Sequence, residues 1–575
     1  MRATSPALAL KFSAWRSRLL LIGLLLWFVA LTARAIFLQG LHNDFLQAKG
    51  DSRYSRVLSL SATRGMIVDR NNEPLAISTP VESVAASPSD LDASSAQLSK
   101  LAQLLEMDVT EVSRRLGDSR RDFVYLKRQL PPEQASKVVE LGIPGVFLQR
   151  EHRRYYPAGD VIAHLIGFTD IDEKGQEALE LAFDAELTGK PGTRRVIKDR
   201  RGHIIEDVDS IRTPQDGAKL TLSIDARIQY LAFRELRSAV VQQRAKAGGI
   251  VVLDAQTGEV LAMANLPSYN PNNRSRADPK RTRNRAVTDL FEPGSTLKPF
   301  TVAAAMEAGI VKPETVIQTA PGYLTIGKRT IHDAHAYGAL SVMQVIQKSS
   351  NVGAAKMALA LPPETMWKLF RRVGFGAPPD SGFPGEASGK LRAFATWKPI
   401  EQATMAYGHG ISVSLLQLAR AYTIFATDGW LVPLTLVKRE ALPELSRAIK
   451  PETARSLRAM LELAVQPGGT APRAQIAGYR VGGKTGTAHK LEGRGYTNKY
   501  ISSFVGLAPA SNPRLIVAVM LDEPSAGQYY GGAVAAPVFS HVMSGALRLL
   551  AVPPDAPVNN VVLPPASEPE VKEEV

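Results

Sequence analysis

One apolar run near the start of the chain constrains its fold more than any other feature. From Leu19 to Leu38 the single charged residue is Arg34. A helix of about 20 residues, rising 1.5 Å per residue, crosses a hydrocarbon core of roughly 30 Å. The sequence therefore predicts a membrane-spanning anchor over 19–38, preceded by a short tail over 1–18.

The charges beside this run predict its orientation. The tail holds no acidic residue and four basic ones, Arg2, Lys11, Arg16 and Arg18. Because basic flanks stay in the cytoplasm, we expect the tail inside and the chain after about residue 40 outside. A cleaved signal peptide is the alternative, since Ala33-Arg34-Ala35 loosely matches a cleavage site. The charge on Arg34 and the apolar residues after it favour a retained anchor over a cleaved signal peptide. The sequence shows no second apolar run of comparable length, so a polytopic transporter is not expected.

Composition excludes some kinds of chemistry and leaves others open. The chain has 575 residues, 45% hydrophobic and 22% charged, which is typical of globular domains. Its net charge of +14 favours anionic partners without choosing between nucleic acid, lipid and acidic polymer. It has no cysteine, so disulfides, thiolate metal sites and a cysteine nucleophile are excluded. Residues 553–575 are rich in proline and glutamate and predict a tail without fixed structure.

The texture of the sequence changes near residue 216. Residues 45–215 are mixed and charged, with short strand-like pieces. After residue 217 comes a strand over 220–224, then a helix capped by Asp225, then a hairpin formed by 249–253 and 259–263. Another buried strand follows at 514–520, and a last helix is predicted to carry Val538, Val542 and Leu549 on one apolar face. Strands at both ends of a long helical middle predict an α+β domain with an antiparallel sheet.

The first of three short motifs that carry chemistry is Ser295-Thr296-Leu297-Lys298. If a helix begins near Ser295, then Ser295 and Lys298 lie on one helical face, and the amine reaches the hydroxyl. A serine needs an adjacent base to become a nucleophile, and a desolvated lysine can be that base. A single Ser-x-x-Lys in a chain of this length is by itself near chance.

The other two motifs are Ser349-Ser350-Asn351 and Lys484-Thr485-Gly486-Thr487. The hydroxyl and amide of the second motif can pass a proton and position a substrate; a helix cap or a solvated polar patch is the alternative. The third motif suits an edge strand that holds a substrate carboxylate; a glycine-rich surface hairpin is the alternative. The three together are informative, because a closely similar set in this order marks β-lactamases and penicillin-binding proteins.

The chain resembles the class B penicillin-binding proteins, and most closely their septal, penicillin-binding protein 3 type. Residues 64–71, 154–167 and 175–180 resemble three boxes of the family's pedestal domain, although Ala178 stands where the family usually has glycine. Residues 407–410 and 529–532 resemble further transpeptidase segments.

This resemblance implies an α+β fold class. Its parts are a transmembrane helix, an elongated α+β pedestal (dimerisation-type) domain over 45–215, and a serine transpeptidase domain over 216–552. The transpeptidase domain has an antiparallel sheet flanked by helices.

The resemblance also implies a role for each motif residue. Ser295 is expected to be the nucleophile, Lys298 the general base and Ser349 the relay of a proton to the leaving amine. The backbone N–H groups of Ser295 and Thr487 are expected to form the oxyanion hole. Substrate binding is expected from Asn351, Lys484, Thr485, Gly486, Thr487, Tyr529 and Tyr530. The two tyrosines fit an aromatic wall or the core equally well. No metal or organic cofactor is expected, because serine acyl transfer needs none.

The implied activity is a D,D-transpeptidase that cross-links stem peptides of septal peptidoglycan through an acyl-enzyme. The implied partners are stem peptides, glycan derived from a lipid-linked precursor, β-lactams as inhibitors, a SEDS-class glycosyltransferase and other division proteins. Nucleic acid is not among them. The implied location is the bacterial inner membrane, with a single pass, a cytoplasmic N-terminus and a periplasmic body.

Several other functions remain as alternatives. They are an elongation-specific class B transpeptidase, a β-lactamase, a soluble D,D-carboxypeptidase, a bifunctional class A enzyme, a β-lactam sensor and a non-catalytic division scaffold. Asn351 favours the division type over the elongation type. The pedestal disfavours a β-lactamase or a carboxypeptidase, and the single span disfavours a sensor.

Two further features are assigned no catalytic role. His332 and Asp333 lie outside the matched boxes and are expected to be structural or on the surface. The basic stretch over 274–285 is expected to border the cleft or form a solvated loop, rather than bind nucleic acid.

Overall fold

The structure is a computed structural model that describes residues 14–41, 55–118, 121, 123–198, 204–273, 278–493 and 495–563. These residues form two compact units. The first unit takes its described residues from 1–62, 81–151 and 189–216, and the second from 63–80, 152–188 and 217–575. The predicted domain over 45–215 therefore contributes to both units, because 63–80 and 152–188 group with the chain after residue 216.

The elements are numbered in chain order. The strands are β1 (Ser55–Leu60), β2 (Ile67–Val68), β3 (Pro74–Ala86), β4 (Val124–Leu130), β5 (Val146–Tyr155), β6 (Gly192–Lys198), β7 (Ile204–Arg212), β8 (Leu220–Thr221), β9 (Ala247–Asp254), β10 (Val260–Leu266), β11 (Val316–Gln318), β12 (Tyr323–Ile326), β13 (Arg329–His332), β14 (Ala339–Ser341), β15 (Trp430–Leu431), β16 (Ser446–Arg447), β17 (Gly482–Glu492), β18 (Gly495–Ala508) and β19 (Leu515–Asp522). The α-helices are α1 (Ala14–Ile36), α2 (Ser95–Leu104), α3 (Val109–Leu116), α4 (Pro132–Val139), α5 (Ala163–Ile166), α6 (Ala178–Ala182), α7 (Asp184–Leu187), α8 (Ala226–Gln242), α9 (Pro279–Thr282), α10 (Arg285–Thr288), α11 (Lys298–Glu307), α12 (Val342–Lys348), α13 (Asn351–Leu359), α14 (Pro363–Arg372), α15 (Pro399–Met405), α16 (Leu415–Ala421), α17 (Thr423–Ala426), α18 (Pro451–Val465), α19 (Gly531–Val534) and α20 (Ala536–Leu549).

Helix α1 covers most of the predicted anchor. It begins five residues before the predicted start, because Arg16 and Arg18 continue the same helix, and a short π-helical turn (Phe37–Leu41) follows it. Together these residues form a helix long and apolar enough to cross a membrane. Its large apolar side chains are exposed on every side, as Leu24, Trp27 and Phe28 show at 65%, 69% and 72%. A helix that is apolar all round needs an apolar environment.

The first unit has a small helical core and a three-stranded sheet. Ser94 caps α2 in a capping box with Gln97, and Asp108 caps α3 by accepting from the Thr110 N–H. The apolar faces of the helices meet β4 around Leu101, Val112, Leu126, Leu130 and Val138. Strands β1, β6 and β7 form a separate antiparallel sheet.

The second unit is built on an antiparallel sheet, as the sequence predicts, and this sheet has five strands. Its strand order is β10-β9-β19-β18-β17. Asp225 caps α8 by accepting from the Arg227 N–H, and α8 packs with α20 on one face of the sheet. Helices α10 and α16 cover the other face. Val538 and Val542 are buried, but Leu549 is 37% exposed, because it lies in the last turn of α20. The strand predicted over 220–224 is shorter, β8, and pairs with β2 in another sheet.

The edge position of β17 matters most for the site described below. β18 pairs with β17 along one side, with Thr487 opposite Ser502. The other side of β17 has no strand partner in the described sheet. An edge strand of this kind offers backbone groups to an extended ligand.

Residues of the three family boxes meet in one buried ion cluster of the second unit. Glu180 places one carboxylate oxygen 2.7 Å from Arg64 Nε and the other 2.7 Å from Arg154 Nε. Arg64 also donates to Asp184 Oδ1 at 2.7 Å. The side chains of Arg64 and Arg154 are each 2% exposed and that of Glu180 is fully buried. Segments far apart in sequence are thus joined by paired buried charges.

His164, from the second box, is a buried histidine that remains neutral. Its Nε2 lies 2.7 Å from the Arg281 carbonyl oxygen and therefore carries the proton, because a carbonyl only accepts. Burial lowers its pKa from 6.5 to about 4. In the unfolded chain the imidazole takes up a proton near pH 6.5, whereas in the folded chain it stays neutral. Stability is therefore fully present above pH 6.5 and is lost as the pH falls towards 4.

We expect the His164→Gln variant to lose this pH dependence, since glutamine can donate to the same carbonyl but does not titrate. Between pH 7 and pH 4, the wild type should lose about 3 kcal/mol more free energy of unfolding than the variant does. Urea unfolding at several pH values measures it. His335→Gln, at an exposed position, is the control. Parallel pH profiles for the wild type and His164→Gln would contradict the expectation.

The chain just after α20 differs from its prediction. Residues 553–563 contain no helix or strand but are held against the second unit. The Ala556 N–H donates to the Gly478 carbonyl, Asp555 accepts from the Arg480 N–H at 2.7 Å, and Asn560 donates to the Tyr479 carbonyl at 2.8 Å. The prediction of a tail without fixed structure from residue 553 is therefore wrong for 553–563. Residues 564–575 lie outside the described residues.

Candidate active site

The Ser295 hydroxyl lies at the start of a helix, as its spacing from Lys298 predicts. A 3₁₀ turn over Gly294–Leu297 leads into α11, with Pro299 in the first turn, where a missing N–H costs little. Lys298 Nζ lies 2.8 Å from Ser295 Oγ. Ser295 is 5% exposed and Lys298 is fully buried. A Cβ at Gly408, in one of the family segments, would lie 2.2 Å from the Gly294 carbonyl, so glycine is required at 408 for this close approach.

The second motif lies between α12 and α13 and turns back towards Lys298. Ser349 ends α12 in the left-handed conformation, with φ 58° and ψ 40°. This strained backbone directs both its hydroxyl and its carbonyl to Lys298 Nζ, with 3.0 Å to Ser349 Oγ. The next residue, Ser350, caps α13 by accepting from the Gly353 N–H. Lys298 thus bridges the first two motifs.

The third motif lies on the edge strand β17 and packs against the Ser295 turn. A Cβ at Gly486 would lie 2.7 Å from the Pro293 carbonyl, and one at Gly294 would lie 3.1 Å from the Thr487 carbonyl. The short contact at 486 and the positive φ of 56° at 294 therefore both favour glycine. Lys484 is fully buried, and its Nζ lies 3.0 Å from Thr485 Oγ1.

Gly531 and Gly532, which follow the tyrosine pair, pack closely against the backbone beside the third motif. A Cβ at Gly531 would lie 2.4 Å from the Ser503 carbonyl, and one at Gly532 would lie 2.1 Å from the Thr470 carbonyl. The Gly531 N–H donates to Thr487 Oγ1 at 3.1 Å. The segment 529–532 therefore packs against the third motif.

Tyr529 and Tyr530 are half-buried members of an aromatic stack. Tyr529 stacks on Tyr500 with ring centroids 3.9 Å apart and 9° between the planes. Its ring centroid lies 4.5 Å from that of Tyr530, and the two hydroxyls are 3.2 Å apart. Both rings are therefore half-buried beside β18, and Tyr530 also packs against the apolar core between the sheet and α20.

Asp333 anchors the second motif, a contact that the sequence analysis missed. Its Oδ2 accepts from Ser350 Oγ at 2.6 Å and its Oδ1 accepts from the Val352 N–H at 2.9 Å. The neighbouring His332 carbonyl accepts from Asn351 Nδ2 at 3.1 Å. The prediction of a structural role is consistent with these contacts, but no local pattern links 332–333 to the motif. Only the folded chain brings them together.

We expect Asp333→Asn to lower the acylation rate of Ser295 by about 10- to 100-fold, because hydrogen bonds to a charged partner contribute about 1.5–3 kcal/mol. The loss should fall on the acylation step, with little change in the affinity of the initial non-covalent complex. Stopped-flow acylation by a chromogenic β-lactam separates the two. Glu314→Gln, at an exposed position, is the control. A loss confined to initial binding would argue against this role.

Glu292 ties the turn before Ser295 to two other segments. It accepts from the Gly410 N–H at 2.8 Å and from the Tyr496 hydroxyl at 3.0 Å. Burial raises its pKa. Beside it, burial lowers the pKa of His409 to about 4, so this imidazole is neutral at pH 7. The sequence marked 407–410 only through the family resemblance and did not mark Tyr496.

Within the described ranges no group of three or more His, Asp or Glu side chains is placed to hold a metal ion. The groups that the three motifs bring together at this site are hydroxyls, amines and backbone donors. A serine hydrogen-bonded to a buried lysine, a second serine on the same lysine, and an edge strand beside both define a class, the serine acyl-transfer enzymes with a Ser-x-x-Lys nucleophile.

Comparison with known proteins identifies a family within the serine acyl-transfer enzymes. The penicillin binding protein transpeptidase domain matches residues 248–544, and the penicillin-binding protein dimerisation domain matches residues 59–222. The probable peptidoglycan D,D-transpeptidase PenA of Neisseria gonorrhoeae is 45% identical over 548 residues, 94% of each chain. The peptidoglycan D,D-transpeptidase FtsI of Escherichia coli is 43% identical over 553 residues, 95% of this chain and 93% of that protein.

A solved structure of a transpeptidase domain is also similar to this chain. The apo transpeptidase domain of Burkholderia pseudomallei penicillin-binding protein 3 is 49% identical, with a TM-score of 0.55, and covers 58% of this chain and 98% of that chain. The chain therefore belongs to the penicillin-binding proteins, within the group of peptidoglycan D,D-transpeptidases of the penicillin-binding protein 3 type.

Proposed function

We propose that this protein is the D,D-transpeptidase that cross-links stem peptides of septal peptidoglycan, through an acyl-enzyme on Ser295. The observation that carries the proposal is the buried contact of Lys298 Nζ with Ser295 Oγ at 2.8 Å. Because burial disfavours the charged form of an amine, Lys298 is suited to take the serine proton. The septal role is supported by the naming of the FtsI relative.

In the first half-reaction, Ser295 Oγ attacks the carbonyl carbon of the penultimate residue of a D-Ala-D-Ala stem while Lys298 accepts the hydroxyl proton. The peptide bond breaks, and the proton returns through the Ser349 hydroxyl, 3.0 Å from Lys298 Nζ, to the amine of the departing D-Ala. In the second half, the amine of a neighbouring stem attacks the ester. It forms the cross-link and restores the serine.

The edge strand β17 is suited to hold the donor stem. Its open side can pair with an extended peptide, and Lys484, Thr485 and Thr487 can bind the terminal carboxylate. The N–H groups of Ser295 and Thr487 would form the oxyanion hole, where one donor is worth roughly 3–4 kcal/mol in the transition state. Asn351 would hold the stem backbone from the opposite side.

Three further assignments belong to this proposal. The stack of Tyr500, Tyr529 and Tyr530 forms an aromatic wall beside the cleft. A SEDS-class glycosyltransferase and other division proteins are partners. The chain resides in the inner membrane, with α1 as the single span, the N-terminus in the cytoplasm and the body in the periplasm. The basic residues before the span support this orientation.

The test is covalent labelling followed by turnover, with the full chain in detergent micelles. We expect a stable one-to-one adduct with a fluorescent penicillin, seen by intact mass, and exchange of terminal D-Ala for a labelled D-amino acid on a pentapeptide stem. Penicillin should block the exchange. An adduct without exchange would favour a β-lactam sensor. Rapid hydrolysis of the adduct would favour a β-lactamase. If the folded chain forms no adduct, the remaining alternative is a non-catalytic division scaffold.

A further inference from the structure

Glu292 is a half-buried carboxylate beside the nucleophile that has no cation to balance it. It lies in the turn that leads into Ser295, and its two oxygens accept from the Gly410 N–H at 2.8 Å and the Tyr496 hydroxyl at 3.0 Å. Both donors are neutral, and among the described residues no lysine, arginine or histidine pairs with Glu292. A carboxylate that is removed from water is normally paired with a cation, so Glu292 is suited to a cation that a ligand brings.

The groups around Glu292 are committed elsewhere or carry no charge. The ring centroid of His409 lies 6.0 Å from that of Tyr496, and burial lowers the pKa of this histidine to about 4, so it is neutral at pH 7. His489 directs its Nδ1 to the Thr497 carbonyl at 2.8 Å. The Lys298 amine contacts the serine hydroxyls of the first two motifs. In the described part of the chain, the countercharge of Glu292 is therefore still to be supplied.

Glu292 lies between the third motif and the tip of the β17–β18 hairpin. The turn that carries it packs against β17 at Gly486 and Thr487. Tyr496, which donates to it, stands on β18 opposite Leu491, four residues beyond Thr487 along β17. At about 3.4 Å per residue these four residues span about 14 Å. The carboxylate thus borders the stretch of cleft that follows Thr487.

The proposed reaction determines which part of the donor stem runs towards Glu292. The terminal carboxylate of the stem is assigned to the side chains from Lys484 onwards, and the reacting carbonyl to the oxyanion hole that includes the Thr487 N–H. Because Lys484 precedes Thr487 on β17, an extended stem continues from Thr487 towards the hairpin tip. The residue directly before D-Ala-D-Ala is therefore the first whose side chain can meet Glu292.

The same reaction indicates what that side chain carries. In the second half-reaction an amine of a neighbouring stem attacks the ester, so acceptor stems carry a free amine. Donor and acceptor stems belong to one polymer, so a donor stem brings such an amine as well. An alkylamine is a cation at neutral pH, and it donates charge-assisted hydrogen bonds to carboxylates.

We infer that Glu292 binds the side-chain ammonium of the residue directly before D-Ala-D-Ala in the donor stem, with the Tyr496 hydroxyl orienting the carboxylate. This inference rests on the proposed D,D-transpeptidase function and adds a substrate preference to it. Stems with a free amine at this position are the preferred donors, because a stem without one leaves the carboxylate unpaired.

The test compares three pentapeptide stems that differ only in the side chain before D-Ala-D-Ala, with the full chain in detergent micelles. One stem carries a free amine, the second the same amine acetylated, and the third a carboxylate on a chain of similar length. The readout is kcat/KM for exchange of terminal D-Ala for a labelled D-amino acid. Because the D-amino acid is the acceptor, each stem acts as donor. We expect the amine-bearing stem to exceed the acetylated stem about tenfold, and the carboxylate-bearing stem to be the slowest.

Two substitutions of Glu292 should change this order. Glu292→Gln nearly keeps the shape of the side chain but removes its charge, so the preference for the amine should disappear. Glu292→Lys should reverse the order and make the carboxylate-bearing stem the fastest. Glu452→Gln, which changes an exposed glutamate on α18, should keep the wild-type order. A penicillin adduct, seen by intact mass, shows that a variant has a folded active site.

Either of two results would overturn the inference. Equal rates of the wild type on the three stems would show that no cation is recognised at this position, and this comparison needs no variant. An equal loss on all three stems in Glu292→Gln would make Glu292 a structural residue. In both cases the adduct and the exchange would leave the proposed function intact, whereas failure of that function would remove exchange on every stem.

Discussion

Replacing Lys298 by glutamine should slow acylation of Ser295 by β-lactams by about 10²- to 10⁴-fold, the usual effect of removing a general base. Glutamine keeps nearly the same length and can still donate to Ser349, but its amide cannot accept the serine proton. Lys298 contacts both serine hydroxyls, at 2.8 and 3.0 Å, so the substitution removes the proton acceptor from the whole network. The measurement is the second-order acylation rate constant by stopped flow.

The controls for this prediction are built into the chain. Ser295→Ala sets the zero of the assay, because no acyl-enzyme can form on it. Lys312→Gln changes an exposed lysine in the same way and should leave the rate unchanged. An unchanged thermal unfolding midpoint would show that Lys298→Gln is folded. A loss of less than tenfold in such a folded variant would assign the proton to another acceptor.

Replacing Glu180 by glutamine should lower the free energy of unfolding by about 3–5 kcal/mol, the usual cost of removing one partner from a buried ion pair. The substitution hardly changes volume, so cavity formation contributes little. It leaves Arg154 without its carboxylate, and it leaves Arg64 with Asp184 alone. Because both arginines are 2% exposed, water cannot replace the lost partner.

The matched comparison is Glu364→Gln, which breaks the exposed Lys368–Glu364 pair on α14. That pair should contribute only about 0.3–0.5 kcal/mol. Urea unfolding followed by tryptophan fluorescence compares the two variants in the same unit. Similar losses for Glu180→Gln and Glu364→Gln would mean that the buried cluster is not what stabilises this part of the chain.

Local patterns predicted the parts of the fold that depend on near neighbours. The Asp225 cap, strands β9, β10 and β19 and the Ser295–Lys298 spacing are each set within a few residues, and the structure contains all of them, whereas strand β18 was not predicted. The apolar run near the start likewise predicted α1. The orientation of that helix in a membrane stays a prediction.

Contacts between distant segments could not be predicted in the same way. Nothing near Arg64 in the sequence marks Glu180 as its partner, and nothing near Asp333 marks Ser350. The docked chain over 553–563 was missed for a similar reason, because its proline-rich composition is typical of free tails. Its hydrogen bonds with residues 475–480 and 511 are made by Asp555, Ala556, Asn560 and Val562.

The left-handed backbone of Ser349 has a consequence for engineering. Glycine adopts that conformation at no steric cost, whereas other residues pay roughly 1–2 kcal/mol for it. A screen that selects only for thermal stability would therefore favour Ser349→Gly and discard the hydroxyl on which the proton relay depends. At position 349 the residue that gives the higher thermal stability gives the lower catalytic rate. Substitutions that raise thermal stability should therefore be sought elsewhere in the chain.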